Sequence, residues 1–325
     1  TPYPLVRVVA DPEAMADPSR YEAFTCIEEE STGRVERDDQ GRPVYRWRAN
    51  GQPLGPKRQA DLIEAGVLAE GEGLWNLRDV ETGEPVWAHA GTIFPNTYRG
   101  GWVMIATQLF GSSVLGEVWY AEADSPLGPW AFARKVVTHD KYSFYNPMHH
   151  PLFDEDGGRR IYFEGTYTTL FSGNEVPTPR YDYNQIMYRL DLDDPRLNLP
   201  LAFYRVLPGE GRGELLRPIG GLGDRPVEGS VAFFALDRPS EGTVPIVEEK
   251  GESDVSLRVG SERDQVPLFH AIPADRDDPP VGTTPLFSVR NDQGRLIYRA
   301  GEGSLPEGWQ RVGEPLCRVW IRPGP

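Results

Sequence analysis

Sulfur and imidazole are scarce in this sequence. Its 325 residues include two cysteines, four methionines and five histidines. Neither Cys26 nor Cys317 sits in a Cys-x-x-Cys or Cys/His spacing, which excludes a structural zinc site of the usual kind. No apolar run approaches the roughly 18 residues of a spanning helix, so no membrane insertion is expected. Gly-x-Gly-x-x-Gly, P-loop, Gly-x-Ser-x-Gly and His-Glu-x-x-His patterns are also missing. Nucleotide-dependent and serine-hydrolase chemistry therefore lack their machinery, and no nucleotide cofactor is expected. Basic charge falls short as well. Against 49 Asp and Glu stand 34 Lys and Arg, and the net charge of -15 opposes binding to nucleic acid.

What the chain has in quantity is turn chemistry. Gly 35 and Pro 31 make about a fifth of it, with 39% hydrophobic and 11% aromatic residues, a mix that suits a turn-rich β protein. One helix is expected, at Lys57–Leu68, with Leu62, Ile63 and Val67 on one side. The remainder reads as short strands. From His89 the order is AGTIF, GWVMIATQL, LGEVWYAEAD and WAFARKVVTH. From Asn146 it returns as PMHHPLF, RRIYFEGTYT, NQIMYRLDL and LAFYRVL. A four-stranded unit repeating at fifty to sixty residues is the mark of a propeller blade. Extended over the chain, it predicts an all-β fold: one five-bladed β-propeller domain over residues 1–325 with four-stranded blades.

At Ala121–Trp130 the sequence AEADSPLGPW resembles the strand-end turn of the five-bladed propeller glycosidases, the arabinanase, xylosidase and fructosidase superfamily. The stretch Tyr145–Leu192 is similar to a block found in uncharacterised bacterial secreted proteins of that fold. The resemblance implies a carbohydrate-active propeller, secreted or periplasmic, with polysaccharide or oligosaccharide as partner. It also allows a calcium ion on the propeller axis. The glycosidase pattern uses an Asp on an early innermost strand as base, and that Asp has no counterpart here.

Candidate residues follow from position. Glu164, flanked by apolar residues in RRIYFEGTYT, is the expected general acid, with Asp182 or Glu228 as its partner. Two carboxyls about 5.5 Å apart would retain configuration, and about 6.5–9.5 Å would invert it. His149, His150 and His270 lie at strand positions where imidazoles from different blades would converge on a metal. Adjacent strand residues point to opposite faces, so only one of His149 and His150 can face the axis. Tyr145 with His149 or His150 would serve a polysaccharide lyase as its proton-abstracting pair, with Arg180 or a cation neutralising a uronate carboxylate. His89, Trp102, Arg180, Tyr181 and Tyr183 are the expected substrate-binding residues. A glycoside hydrolase is the first reading. A non-catalytic carbohydrate-binding or surface-assembly propeller, or a lyase, are the alternatives. Last, Cys26 and Cys317 lie in opposite terminal regions, and closing a propeller would bring them together as a disulfide.

Overall fold

The computed structural model describes residues 5–29, 33–37, 41, 43–111, 114–206, 215–217, 227–251, 255–261 and 266–321. A small amino-terminal sheet joins β1 (Val6–Arg7), β2 (Glu22–Thr25) and β5 (Arg46–Ala49). Beside it lie the one-turn helix α1 (Pro12–Met15) and the ribbon of β3 (Ile27–Glu29) with β4 (Arg34–Val35). The expected longer helix is α2 (Pro56–Glu64). It stops short of Leu68 because Gly66 takes a φ of 68° and returns its N–H to the Ile63 carbonyl.

The first repeat unit forms as expected. Strands β7 (Ala88–Asn96), β8 (Gly101–Gln108), β9 (Glu117–Ala123) and β10 (Phe132–Thr138) run as an antiparallel meander. The short β6 (Arg78–Asp79) adds in parallel to β10. Between β9 and β10 the SPLGPW turn closes on itself. Ser125 Oγ donates to the Gly128 carbonyl at 2.9 Å, Gly128–Pro129 is cis, and Trp130 is buried. The second unit keeps three strands, β11 (Ser143–His149), β12 (Arg160–Thr168) and β13 (Asn184–Asp191). Its expected fourth strand, β14 (Leu201–Val206), instead joins the next sheet.

Residues 201–321 follow a different plan. Three hairpins succeed one another: β14 with β15 (Leu215–Arg217), β17 (Val244–Lys250) with β18 (Val255–Val259), and β20 (Thr283–Asn291) with β21 (Leu296–Ala300). Each is followed by a strand that pairs back on the hairpin's first strand. These are β16 (Val227–Ala235), β19 (Phe269–Ala271) and β23 (Cys317–Trp320). The short β22 (Trp309–Arg311) adds to the far half of β20. The return segments then pair with one another in a cycle: Leu236 with His270, Ile272 with Arg318, and Trp320 with Phe234. An internal repeat underlies this threefold pattern. Gly242-Thr-Val-Pro245 and Gly282-Thr-Thr-Pro285 share a positive φ at the glycine. In both, the threonine hydroxyl donates to the carbonyl three residues earlier, at 2.7 and 2.8 Å.

Three corrections follow. Among the described residues the strands divide into sheets of three, five, three, seven and three with a two-stranded ribbon, not into uniform four-stranded blades. The molecule is mostly β, in several packed sheets. Second, Cys26 and Cys317 are free and buried in separate cores. Cys26 packs with Ile27, Leu54, Leu62 and Leu68 beneath α2, and Cys317 with Phe269, Leu286 and Val319 inside the threefold unit. Third, the strand expected to end the second unit, β14, pairs with β16 in the next sheet.

Alternation decides which side of each sheet meets the common core. Val103, Ile105, Val118 and Tyr120 from the first sheet meet Ile161 and Phe163 from the second, and Phe234 and Trp320 from the threefold unit. The turn between β7 and β8 fastens the three together. Asn96 Nδ2 donates to Gly158 O (2.8 Å), and Tyr98 Oη to Asp193 (2.7 Å). The buried Arg99 side chain donates to Glu122 (2.7 Å) and Asp237 (3.1 Å).

Candidate functional site

The alternation of β11 and β12 separates the paired histidines. His149 lies opposite Phe163 and is buried. Its Nε2 is 2.8 Å from Asp154 Oδ1, its backbone N–H donates to Thr92 Oγ1 (3.0 Å), and Phe94 meets its ring edge-on. His150 emerges on the other face, with Nε2 3.1 Å from Glu164 Oε1. Glu164 itself lies between Met148 on β11 and Met187 on β13, both about half exposed at 49% and 47%. The face that carries Tyr145, His150 and Glu164 is thus open. That brings three of the expected residues onto one surface.

An aromatic corner closes one end of this face. Tyr145 meets Tyr183 at 6.1 Å and Phe171 at 6.2 Å between ring centroids, both nearly perpendicular. Tyr181, Phe171 and Tyr183 are 72%, 65% and 58% exposed. The loop that carries them is pinned from inside. Thr178 Oγ1 donates to Tyr181 O at 2.6 Å, and Arg180 sits exposed at a φ of 70°.

Asp182 is part of that bracing. Its carboxylate accepts the Thr169 hydroxyl at 2.6 and 2.7 Å and the Thr169 N–H at 3.1 Å. Those bonds hold its carboxyl below the usual carboxylate range. Thr169 lies five residues along the chain from Glu164, about 16 Å at roughly 3.3 Å per strand residue. Asp182 therefore meets Thr169 and not Glu164. Glu228 falls on β16, with its side chain outside the described residues.

The other expected residues lie elsewhere. His270 belongs to the cycle of return segments, paired with Leu236 and Pro245. It does not join His149 and His150, and among the described residues no group of three His, Cys, Asp or Glu could hold a metal. Trp102 packs against the buried cluster of Met104, Trp119 and Trp130 on the far side of the first sheet. His89 lines a cavity of about 530 Å³ between α2 and β7, walled by Trp75, Trp87, Trp130 and Ile63. Burial lowers its pKa. Sequence reasoning missed Asp154, Phe171, Met148 and Met187. The only available signal for Asp154 was its place five residues after His149.

No protein-family model, no curated protein and no solved structure matches this chain. Among the described residues no helix is long and apolar enough to cross a membrane.

Proposed function

We propose that the open face of the β11–β12–β13 sheet is a carbohydrate-binding surface that takes an extracellular polysaccharide without cleaving it. The observation that carries this is the aromatic corner of Tyr145, Phe171 and Tyr183 beside the polar His150–Glu164 pair. Aromatic faces take up the apolar C–H face of a sugar ring, and neighbouring polar groups take its hydroxyls. Such rings left in water are an exposed apolar patch that a ligand would cover. Hydrolysis is the weaker reading. Glu164 would need a carboxylate partner, and the Asp182 carboxylate is bonded to Thr169 instead. The face is also open to solvent. A lyase would need Tyr145 and an imidazole on one side, which only His150 satisfies.

The propeller resemblance belongs to this proposal too. Its support is the SPLGPW turn, the meander β7–β10 and the shorter meander β11–β13, which we take as two adjacent blades. Among the described residues five sheets have three or more strands, which favours five blades. Against that count stands the hydrogen-bonded cycle in residues 201–321, since propeller blades pack without pairing.

Calorimetric titration against soluble neutral polysaccharides tests the binding reading. Tyr183→Ala should weaken binding about tenfold or more and leave the melting temperature unchanged. No binding by the parent chain would sink it. Release of reducing ends, lost in Glu164→Gln, would replace it with hydrolysis, and product absorbance from a new double bond would replace it with a lyase.

A further inference from the structure

Three strands of seven or more residues pair on one side only among the described residues: β7, β11 and β13. Unpaired edges invite another strand, and proteins blunt them with proline, glycine, bulges or charged side chains, lysine above all; of these β13 carries only the charges of Arg189 and the terminal Asp191. Two of the three are blunted. Strand β7 contains Gly91 and Pro95, and β11 contains Pro147 within a register shift between Tyr145 and Met148. Strand β13, with the sequence NQIMYRLD, has no proline, glycine, lysine or bulge along its eight residues.

Its core-facing side is also incomplete. Ile186, Tyr188 and Leu190 pack on the common core yet are only partly buried, while Ile161 and Phe163 of the adjacent strand are 0% and 1% exposed. Another strand beside β13 would cover them.

We infer that β13 pairs antiparallel with β13 of a second copy of this chain, about a dyad at Met187. The occupant follows from the sequence of the strand, which complements itself in that register. Met187 meets its own counterpart, Ile186 lies opposite the partner's Tyr188, and Gln185 lies opposite the partner's Arg189. On the core side this places Ile186 against Tyr188 next to the dyad, with Asn184 opposite Leu190 at the ends, and on the open side it opposes no like charges. A dyad normal to the sheet leaves both open faces on the same side of one six-stranded sheet. If the carbohydrate reading above holds, the dimer presents two binding faces side by side and gains avidity on a repeating polymer.

Sedimentation velocity over a concentration series tests the pairing without any glycan. The expected result is a dimer at twice 36.4 kDa. Met187→Lys, which sets two ammonium groups against each other at the dyad, should give monomer whose thermal melt matches that of the parent at a dilution where it is monomeric. Gln185→Arg should weaken the dimer about tenfold and Gln185→Glu should tighten it, each acting through the partner's Arg189. Monomer at every concentration overturns the inference. So does a dimer indifferent to Met187→Lys, or one that responds alike to both Gln185 variants. Loss of glycan binding with the dimer intact would count against the carbohydrate reading alone.

Discussion

The β7–β10 sheet and the β11–β13 sheet share one strand plan but differ in what covers them. Both send one face into the common core, through Ile105 and Tyr120 in the first and Ile161 and Phe163 in the second. The opposite face of the first is buried too, with Met104, Ala106, Trp119, Ala121 and Ala133 packed on Leu77, Val86 and Trp130. The opposite face of the second carries Glu164, Gln185, Met187 and Arg189 toward solvent. Side-chain size reports the difference. Where a face is covered, small alanines alternate with tryptophan and methionine to let layers approach. Where it is open, long polar and flexible side chains stand. A strand repeat thus predicts the path of the backbone, and the residues between decide whether a face is a core or a site.

The largest expected effect breaks that contrast directly. Trp119 is 4% exposed, and its Nε1 donates to Gln108 Oε1 at 2.7 Å. Trp119→Ala should cost about 3–5 kcal/mol in urea denaturation. Met187→Ala, at the corresponding outer face of the second sheet, should stay within about 0.5 kcal/mol in the monomer. Equal losses would mean that the second face is covered after all.

An intermediate effect is expected where the second sheet is tightest. At Gly165 a Cβ would run into the Phe144 ring, which lies across the strand on the core side. Gly165→Ala should destabilise by about 1–3 kcal/mol through overpacking, and Phe144→Leu in the same chain should restore part of it. Failure of the second change to rescue the first would place the strain in the backbone instead.

Some of this was legible in the sequence because its cause is local. The SPLGPW turn needs only its own proline, serine and glycine, and it forms as expected. The strands of the first unit were visible through their β-branched and aromatic runs. The opposite facing of His149 and His150 follows from strand period alone. What escaped depends on pairing between distant segments. LAFYRVL has the right spacing to end the second unit, yet Phe203 faces Phe233 of the next sheet. The threefold unit was hidden because its equivalent return segments, FFAL, FHAI and CRVW, share an apolar pattern and little identity. The clearer sign was Gly-Thr-x-Pro recurring forty residues apart at 242 and 282. Cys26 and Cys317 failed as a pair for the same reason, because nearness to the two termini says nothing about which core each enters.

The smallest expected effect is a slope with pH, and it sharpens the comparison at the seam between the two sheets. His139, at the end of the first sheet, stacks on Phe144 of the second at 4.4 Å. Its ring nitrogens lie 3.1 Å from Gly116 O and 2.9 Å from Tyr188 Oη. Burial lowers its pKa, with the Gly116 carbonyl opposing. A histidine whose folded pKa lies below its unfolded value near 6.5 favours folding in its neutral form. Its contribution is therefore complete above about pH 6.5 and is lost as pH falls through the folded value. Burial lowers His89 and His270 as well, so the three act with one sign. Stability should accordingly fall between pH 7.5 and 5, against an opposing slope from Glu122 and Asp124, whose carboxyls burial raises. His139→Gln keeps a donor and an acceptor at the seam and removes the titration. Its stability against pH should be shallower than the parent's over that window, with some slope left from the other two histidines. An unchanged slope would show that His139 takes up its proton as easily folded as unfolded, and that the seam is wetter than its stacking implies.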